Sequence, residues 1–322
     1  MNRTVNVIAG LLAAALAGSA QGQAFPSKPI KLVIPFVAGG SSDIVGRAIG
    51  SKFQEYLGQP AIVENRPGAN GAIAAEFVAK ADPDGYTILV GSIGVFSINN
   101  ALFKDLRYNA VRDFAPITLA VTTPNILITR PDLPAGSMKE LVEFAKKNPG
   151  RLSYCSSGTG SSDHLTGEVF KQGAGIFAVH VPYRGGAGCQ TDIMGSQVDV
   201  SFQNMGAVTN YIKAGRMKAL AVTAAARHPQ LPNVPTTAEA GFPDLVVTSW
   251  QAVAAPAKTP RDVVAKLNEA TVRALRSPEV RERMNQIGFD VVAGTPEEFG
   301  QFMKAELDRW TRVVERGGIK PD

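Results

Sequence analysis

Ala38-Gly39-Gly40-Ser41-Ser42, followed at once by Asp43, is the first stretch of this 322-residue chain whose residue types suggest chemistry. Small residues leave backbone N–H groups accessible. The start of a helix adds unpaired N–H donors at the positive end of the helix dipole. That combination binds an anion. The stretch is not G-x-G-x-x-G and has no acidic residue placed for a ribose. Nor is it a Walker loop, because Gly46 is followed by Arg47 rather than by Lys and Ser/Thr. A nucleotide is therefore not the favoured anion. Asp43 has two readings: compensation of the helix dipole, worth about 0.3–1 kcal/mol, or acceptance of hydrogen bonds from a ligand amine, a protonated acid or a water.

The pattern returns further along. SSGTGSSDH, residues 156–164, carries Ser157, Gly158, Thr159, Ser161 and His164. Tyr183-Arg184-Gly185-Gly186-Ala187-Gly188 is another glycine-rich turn. Gly91-Ser92-Ile93-Gly94 and Gln203-Asn204-Met205-Gly206 are small or polar runs at strand ends. Two such loop sets facing one another can hold one small anion through backbone amides, without a buried Lys or Arg. That favours a small carboxylate over a bulky phosphate ester.

Catalytic signals are scarce. His180 lies in an apolar strand and reads as packed; His228, beside Pro229, reads as a surface loop residue. His164 is the one histidine placed near a ligand loop. There is no G-x-S-x-G elbow, and the closeness of Ser161 to His164 in sequence is not triad geometry. No acid pair, metal motif or reactive-cysteine signature stands out. The reading is a binding protein, not an enzyme, with no cofactor and no metal site.

The elements that position these loops follow from periodicity. Leu32, Val33 and Ile34 form a short buried strand, ended by Pro35. Ile44, Val45, Ala48, Ile49 and Phe53 recur at helical spacing, with Ser41 or Ser42 as the N-cap and Gly58 past the end. A strand over 61–63, a turn-rich loop over 64–71, a helix over 73–80 and a strand over 87–90 follow. Strand, loop and helix in alternation predict a parallel sheet covered by helices, with ligands beyond the carboxyl ends of the strands. Residues 117–129 read as an extended segment interrupted at 122–124. Ser137 starts a helix with Glu140 as a capping-box partner. Strands are predicted over 152–155, 177–182, 198–202 and 219–223, and an extended stretch over 246–253. Three closing helices start at Thr259-Pro260, Ser277-Pro278 and Thr295-Pro296, each a hydroxyl cap followed by Pro at the first helical position. Phe299, Phe302, Met303 and Trp310 make an apolar stripe on the last one, read as core packing.

The composition sets limits on this picture. The length suggests two domains or lobes, and 45% apolar residues can fill a sizeable core. The formal charge of +5 comes from scattered basic residues with no block of like charge, which argues against nucleic acid. Residues 1–24 read as a secretory leader: Arg3, an apolar run over 5–17, and Gly22-Gln23-Ala24 as the cleavage site. The apolar run is shorter than the ~20 residues of a spanning helix. Export leaves Cys155 and Cys189 in an oxidising compartment, where pairing and free thiols are both open.

The stretches FPSKPIKLVIPFVAGGSSDIVGRAIG, VENRPGANGAIAAEFVAKADPDGYTILVG, SSGTGSSDHLTGEVF, VHVPYRGGAGCQTDIMGSQVDVSF, ALAVTAAARHPQLPNVPTTAEAGFP and EEFGQFMKAELDRWTRVVERGGIK run through nearly the whole mature chain. Together they resemble the periplasmic solute-binding proteins of tripartite tricarboxylate transporters, the Bug or TctC-type receptors. The resemblance implies an α/β, two-lobed periplasmic-binding-protein fold of the Venus flytrap, type II-like kind, each lobe a mostly parallel sheet flanked by helices. It implies lobe one from residues 25–123 and 222–322 and lobe two from 124–221. By the family pattern residues 36–43, among them Phe36, Ala38, Gly39, Gly40, Ser41 and Asp43, form one wall of the ligand site, with Ser92 at the neighbouring strand end. Residues 157–162 and 183–186, among them Ser157, Gly158, Thr159, Ser161, Tyr183, Arg184 and Gly185, come from the other lobe with His164 and Asn204. The implied protein is a periplasmic monomer that captures a mono-, di- or tricarboxylate and delivers it to the large and small membrane subunits of the transporter. The alternatives are a receptor that reports its ligand to a two-component sensor kinase, and an enzyme on the same fold. Two features depart from the family pattern: Gly68-Ala69-Asn70-Gly71 stands where relatives more often read Gly-Ala-Gly-Gly-Asn, and Cys189 stands where an apolar residue or Pro is common.

Overall fold

A computed structural model of the protein describes residues 25–320; the leader read at residues 1–24 lies outside them. The apolar run after Pro29 becomes β1 (Ile30–Ile34). It leads through the Gly/Ser loop to α1 (Ser41–Gly50) and α2 (Phe53–Leu57), then β2 (Ala61–Asn65), α3 (Ala72–Ala79) and β3 (Thr87–Ser92). A π-helical turn over Gly94–Ile98 and the short α4 (Asn99–Leu102) precede β4 (Phe114–Thr129). Next come α5 (Met138–Lys147), β5 (Ser153–Ser156), α6 (Ser162–Ala174), β6 (Val179–Pro182), α7 (Gly186–Met194), β7 (Val200–Asn204), α8 (Met205–Lys213) and β8 (Lys218–Val222). The chain closes with β9 (Thr248–Pro256), α9 (Arg261–Arg276), α10 (Pro278–Ile287), β10 (Asp290–Val291) and α11 (Pro296–Gly317).

Two sheets result, and the 16-residue β4 belongs to both. In the first, β1 is parallel to β2 and β3, while β9 runs antiparallel to β3 and to β4, and β10 antiparallel to β4. In the second, β5 is parallel to β6 and β7, while β7 and β8 flank β4 antiparallel. Each sheet is therefore mixed: parallel in its outer strands, antiparallel around β4 and β9. The interruption expected at residues 122–124 does not occur. On one flank of β4, β10 pairs only as far as Thr122 and β7 begins at Asn125. No strand on that flank needs the N–H that Pro124 lacks.

Alternation along each strand places an apolar layer on both faces. On one face of the first sheet, Val33, Leu89, Ala252 and Ala254 pack with Phe96, Trp250, Phe299 and Trp310. On the other, Leu32, Ile34, Val90 and Val253 pack with Val45, Ile49, Leu267 and Phe289. The second sheet is covered likewise, by Leu141 and Phe170 against Phe202, and by Cys189, Ile193 and Val208 against Ile126 and Ile128. The stripe expected on the last helix is core: Phe299, Met303 and Trp310 are all buried. Glu306 sits between the two tryptophans and accepts from the indole N–H of Trp250 (2.9 Å) and of Trp310 (3.2 Å).

The caps depart from expectation in two places. Thr295 and Glu298 form the full capping box, and the Ser137 hydroxyl accepts the Glu140 N–H. At the first of the three closing helices, however, the cap of α9 is Pro260, and the Thr259 hydroxyl is buried without a partner. At α1 the cap is Gly40 rather than Ser41 or Ser42. The reason is that Asp43 reaches back to the Gly39 N–H (3.0 Å), while Ser42 donates to Gln251 Oε1 (2.7 Å). In the loop that departs from the family pattern, Ala69 and Asn70 both hold φ of 46°, a region where glycine is more usual.

Candidate functional site

The carboxyl ends of β1, β3, β5 and β7 point to one place between the sheets. There the loops enclose a cavity of about 40 Å³. Phe36, Gly40, Ser41 and Ser42 enter from the loop after β1, and Ser92 and Ile93 from the end of β3. Ser157, Ser161, Ser162 and Asp163 come from the loop after β5, and Gly186 and Gln190 from the start of α7. Gln203, Asn204 and Ala207 come from β7 and α8, and Ser249 and Gln251 from β9.

Four helices, α1, α6, α7 and α8, begin at this cavity: Ser41, Ser162 and Gly186 are their first residues, and Asn204 is the N-cap of α8. Each N-terminus carries roughly half a positive charge and unpaired N–H groups. Apart from the Asp163 carboxyl, the polar wall is neutral amides and hydroxyls, and none of the described residues lining it is Lys, Arg or His. Such a site solvates an anion with fixed dipoles.

Hydrogen bonds tie the wall into a connected net. Gln251 receives Ser42 and reaches towards Asn204 Oδ1 (3.4 Å). Asn204 donates to Asn125 Oδ1 (2.7 Å), and Asn125 to Thr166 (2.9 Å). On the other side Gln190 donates to Gln203 (3.3 Å), and Gln203 to Asp163 Oδ2 (3.0 Å). Asp163 also accepts the Ser157 N–H (2.7 Å) and hydroxyl (2.8 Å). Burial pushes the Asp163 carboxyl above its ordinary range, against the pull of the hydroxyls of Ser161 and Ser157 and of the Ser157 N–H.

The loops of the two sheets meet around the cavity. The Val37 N–H points at Arg184 O (3.5 Å). A Cβ on Gly185, whose φ is 134°, would lie 3.0 Å from Val37 Cγ2, and one on Gly160 would lie 3.1 Å from Asn99 Oδ1. Both positions need glycine for conformation and for closeness.

Of the residues singled out from sequence, Phe36, Gly40, Ser41, Ser92, Ser157, Ser161 and Asn204 line the cavity. The others sit around it. Ala38 and Gly39 are at the exposed loop tip, Gly39 facing Ala187. Asp43 lies behind the loop. Its oxygens take the Gly39 N–H, Arg47 Nε and Asn65 Nδ2 (2.9 Å), so its role here is to fix the turn rather than to wall the cavity. Burial pushes the Asp43 carboxyl up, but Arg47, Gly39 and Asn65 outweigh it and leave it below the usual 3.8. Gly158 and half-buried Thr159 form the loop beside Tyr183 and Asn70. His164 is buried beneath that loop: its Nδ1 accepts the Gly160 N–H (3.2 Å), and its ring stacks on His180 at 4.4 Å. His180 in turn stacks on Tyr154 and meets Ser156 Oγ (2.7 Å). Tyr183 turns away towards Asp192; burial and that carboxylate push its phenol up to about 12. Arg184 is exposed and contributes its carbonyl. Behind the second wall Cys155 and Cys189 are joined in a disulfide, with Cα atoms 5.7 Å apart.

Sequence reasoning missed Asp163, Gln190, Gln203, Ser249 and Gln251, whereas Ser42 and Ser162 fall inside the two loop stretches assigned to the site. Ser249 and Gln251 carried a readable signal, since two polar residues flank Trp250 in an otherwise apolar strand and share a face. Among the described residues no His/Cys/Asp/Glu group could hold a metal, and no helix is long and apolar enough to cross a membrane.

Comparison with known proteins finds relatives in sequence and in fold. A family model described as "Tripartite tricarboxylate transporter family receptor" matches residues 45–319. A protein from Pseudomonas sp. (strain P51), described as the UPF0065 protein in the tcbD-tcbE intergenic region, is 39% identical over 312 residues, covering 96% of this chain and 93% of that one. The solved periplasmic binding protein BugD superposes with a TM-score of 0.90 at 36% identity, covering 92% of this chain and all of its own. An R. palustris protein solved with adipate gives 0.89 at 35% identity, covering 92% and 100%. MatC from Rhodopseudomonas palustris with bound malate gives 0.87 at 33% identity, covering 90% and 100%.

Proposed function

The chain belongs to the tripartite tricarboxylate transporter receptor family, and from that premise we propose that it captures a small organic carboxylate between two lobes and delivers it to the membrane subunits of such a transporter. The observation that carries the reading is the convergence of four helix N-termini on one small cavity walled by amides and hydroxyls. Neighbours solved with adipate and malate support the ligand class.

On this reading residues 25–123 and 222–322 form one lobe and 124–221 the other. They close about the region where Pro124 pairs with Thr248 and Thr223 N–H with Asn125 O (2.8 Å). A ligand that contacts both walls stabilises the closed state because it gains contacts only there. Residues 1–24 direct export to the periplasm and are removed. Binding occurs without turnover on this reading: no described residue lining the cavity is a His or Lys that could act as a base for its serines, and the one carboxyl there, Asp163, is tied up by Ser157 and Gln203.

The test is a thermal-shift and calorimetry panel of mono-, di- and tricarboxylates on the exported protein, with the ligand re-assayed after incubation. The expected result is one-to-one binding of at least one acid, recovered unchanged. Consumption of the acid, or no binding across the panel, overturns the reading.

A further inference from the structure

Among the described residues that line the cavity, Asp163 is the one ionisable side chain, and it is 3% exposed. It is the second residue of α6, at that helix's positive end. Its Oδ2 is held by three donors, the Ser157 N–H, the Ser157 hydroxyl and the Gln203 amide. Burial works against ionisation, while the Ser157 N–H, the Ser157 and Ser161 hydroxyls and the helix N-terminus favour the carboxylate form. Hydroxyls and side-chain amides make up the remaining polar wall, without a basic residue.

This arrangement has a charge preference. The helix ends suit one carboxylate. A second one would face Asp163 in a site with little water to screen it. A ligand that brings a carboxylate and an ammonium satisfies both parts: the carboxylate takes the helix N–H groups, and the ammonium takes Asp163 as its acceptor. A buried charge is costly until it is paired.

We propose that Asp163 makes the site selective for a carboxylate that also carries a cationic amine, an amino acid rather than a simple carboxylic acid. This rests on the binding reading above and narrows it. Adipate and malate, named with the solved neighbours, carry no amine, so the ligand here differs from theirs in class.

Matched pairs that differ by one amine test it: aspartate against succinate, glutamate against glutarate, 4-aminobutyrate against butyrate. Calorimetry on the mature chain should show at least one aminated member binding tenfold or more tighter than its partner. In Asp163→Asn, which keeps an oxygen for the Ser157 donors, that ratio should fall at least tenfold while the des-amino acid binds as well or better. A purely structural role would instead weaken both members alike. If Asp163→Asn does not fold, the ratio in the unaltered protein still decides. A wild-type preference for the des-amino member, or a ratio unchanged in Asp163→Asn, overturns the proposal and leaves the receptor reading standing. If no acid binds, aminated or not, the receptor reading fails and the proposal with it.

Discussion

Gly40→Val separates binding from folding. Gly40 has φ −80° and ψ 170°, an extended conformation that Val adopts readily, and a Cβ there would meet only Val37 O, at 3.7 Å. The backbone therefore tolerates the change. Losing Gly at an N-cap costs up to about 1 kcal/mol, and the reduced freedom of the unfolded chain returns about 0.4–1 kcal/mol. The unliganded melting temperature should move by no more than about 3 °C. The ligand-bound state behaves differently, because Gly40 lines a cavity of about 40 Å³ and three added carbon atoms occupy the ligand's space. At a hundredfold excess over Kd a ligand stabilises the native state by about 2.7 kcal/mol. For a protein of this size that is a rise of roughly 5–10 °C. Differential scanning fluorimetry with and without saturating ligand should show this rise in the wild type and none in Gly40→Val. An equal rise in both refutes the placement of the site.

Three further outcomes follow from particular contacts. Replacing Cys155 and Cys189 together by Ser opens a loop of 34 residues and should lower unfolding free energy by roughly 3–4 kcal/mol in denaturant titration; no change would mean the thiols are unpaired in the purified protein. Glu306→Leu leaves the indole N–H groups of Trp250 and Trp310 buried without their acceptor and should cost about 1–3 kcal/mol for each, read by the same titration. Asp43 ionises more easily folded than unfolded, so its contribution is present above its ordinary 3.8 and is lost as pH falls through its lowered value. Asp43→Asn should therefore lie below wild type in stability at pH 6 and converge with it in acid; parallel curves down to low pH would contradict that sign.

Local features were legible in the sequence. The strand–loop–helix alternation, the capping box at Thr295 and Glu298, and the left-handed Gly58 after α2 are all set by residues within a few positions of one another. What was not legible depends on distant partners. Ser42 is fixed by Gln251, 209 residues away, and that bond helps remove it from capping duty. The continuity of β4 through Pro124 depends on where β10 and β7 end, which no local pattern encodes. His164 was placed near the ligand by its neighbours in sequence, whereas stacking on His180 draws its ring beneath the loop. Asp163 sits inside the Gly/Ser run that marked the site, yet its aim into the cavity is set by Ser157 and Gln203.

Calorimetric titration of the purified protein with a carboxylate and with its uncharged primary amide tests the central claim most directly. Dipoles from four helix N-termini distinguish an anion from a neutral isostere. The account predicts one-to-one binding of the acid and a loss of at least a hundredfold for the amide. Equal affinity for the two, or binding of neither, would contradict it.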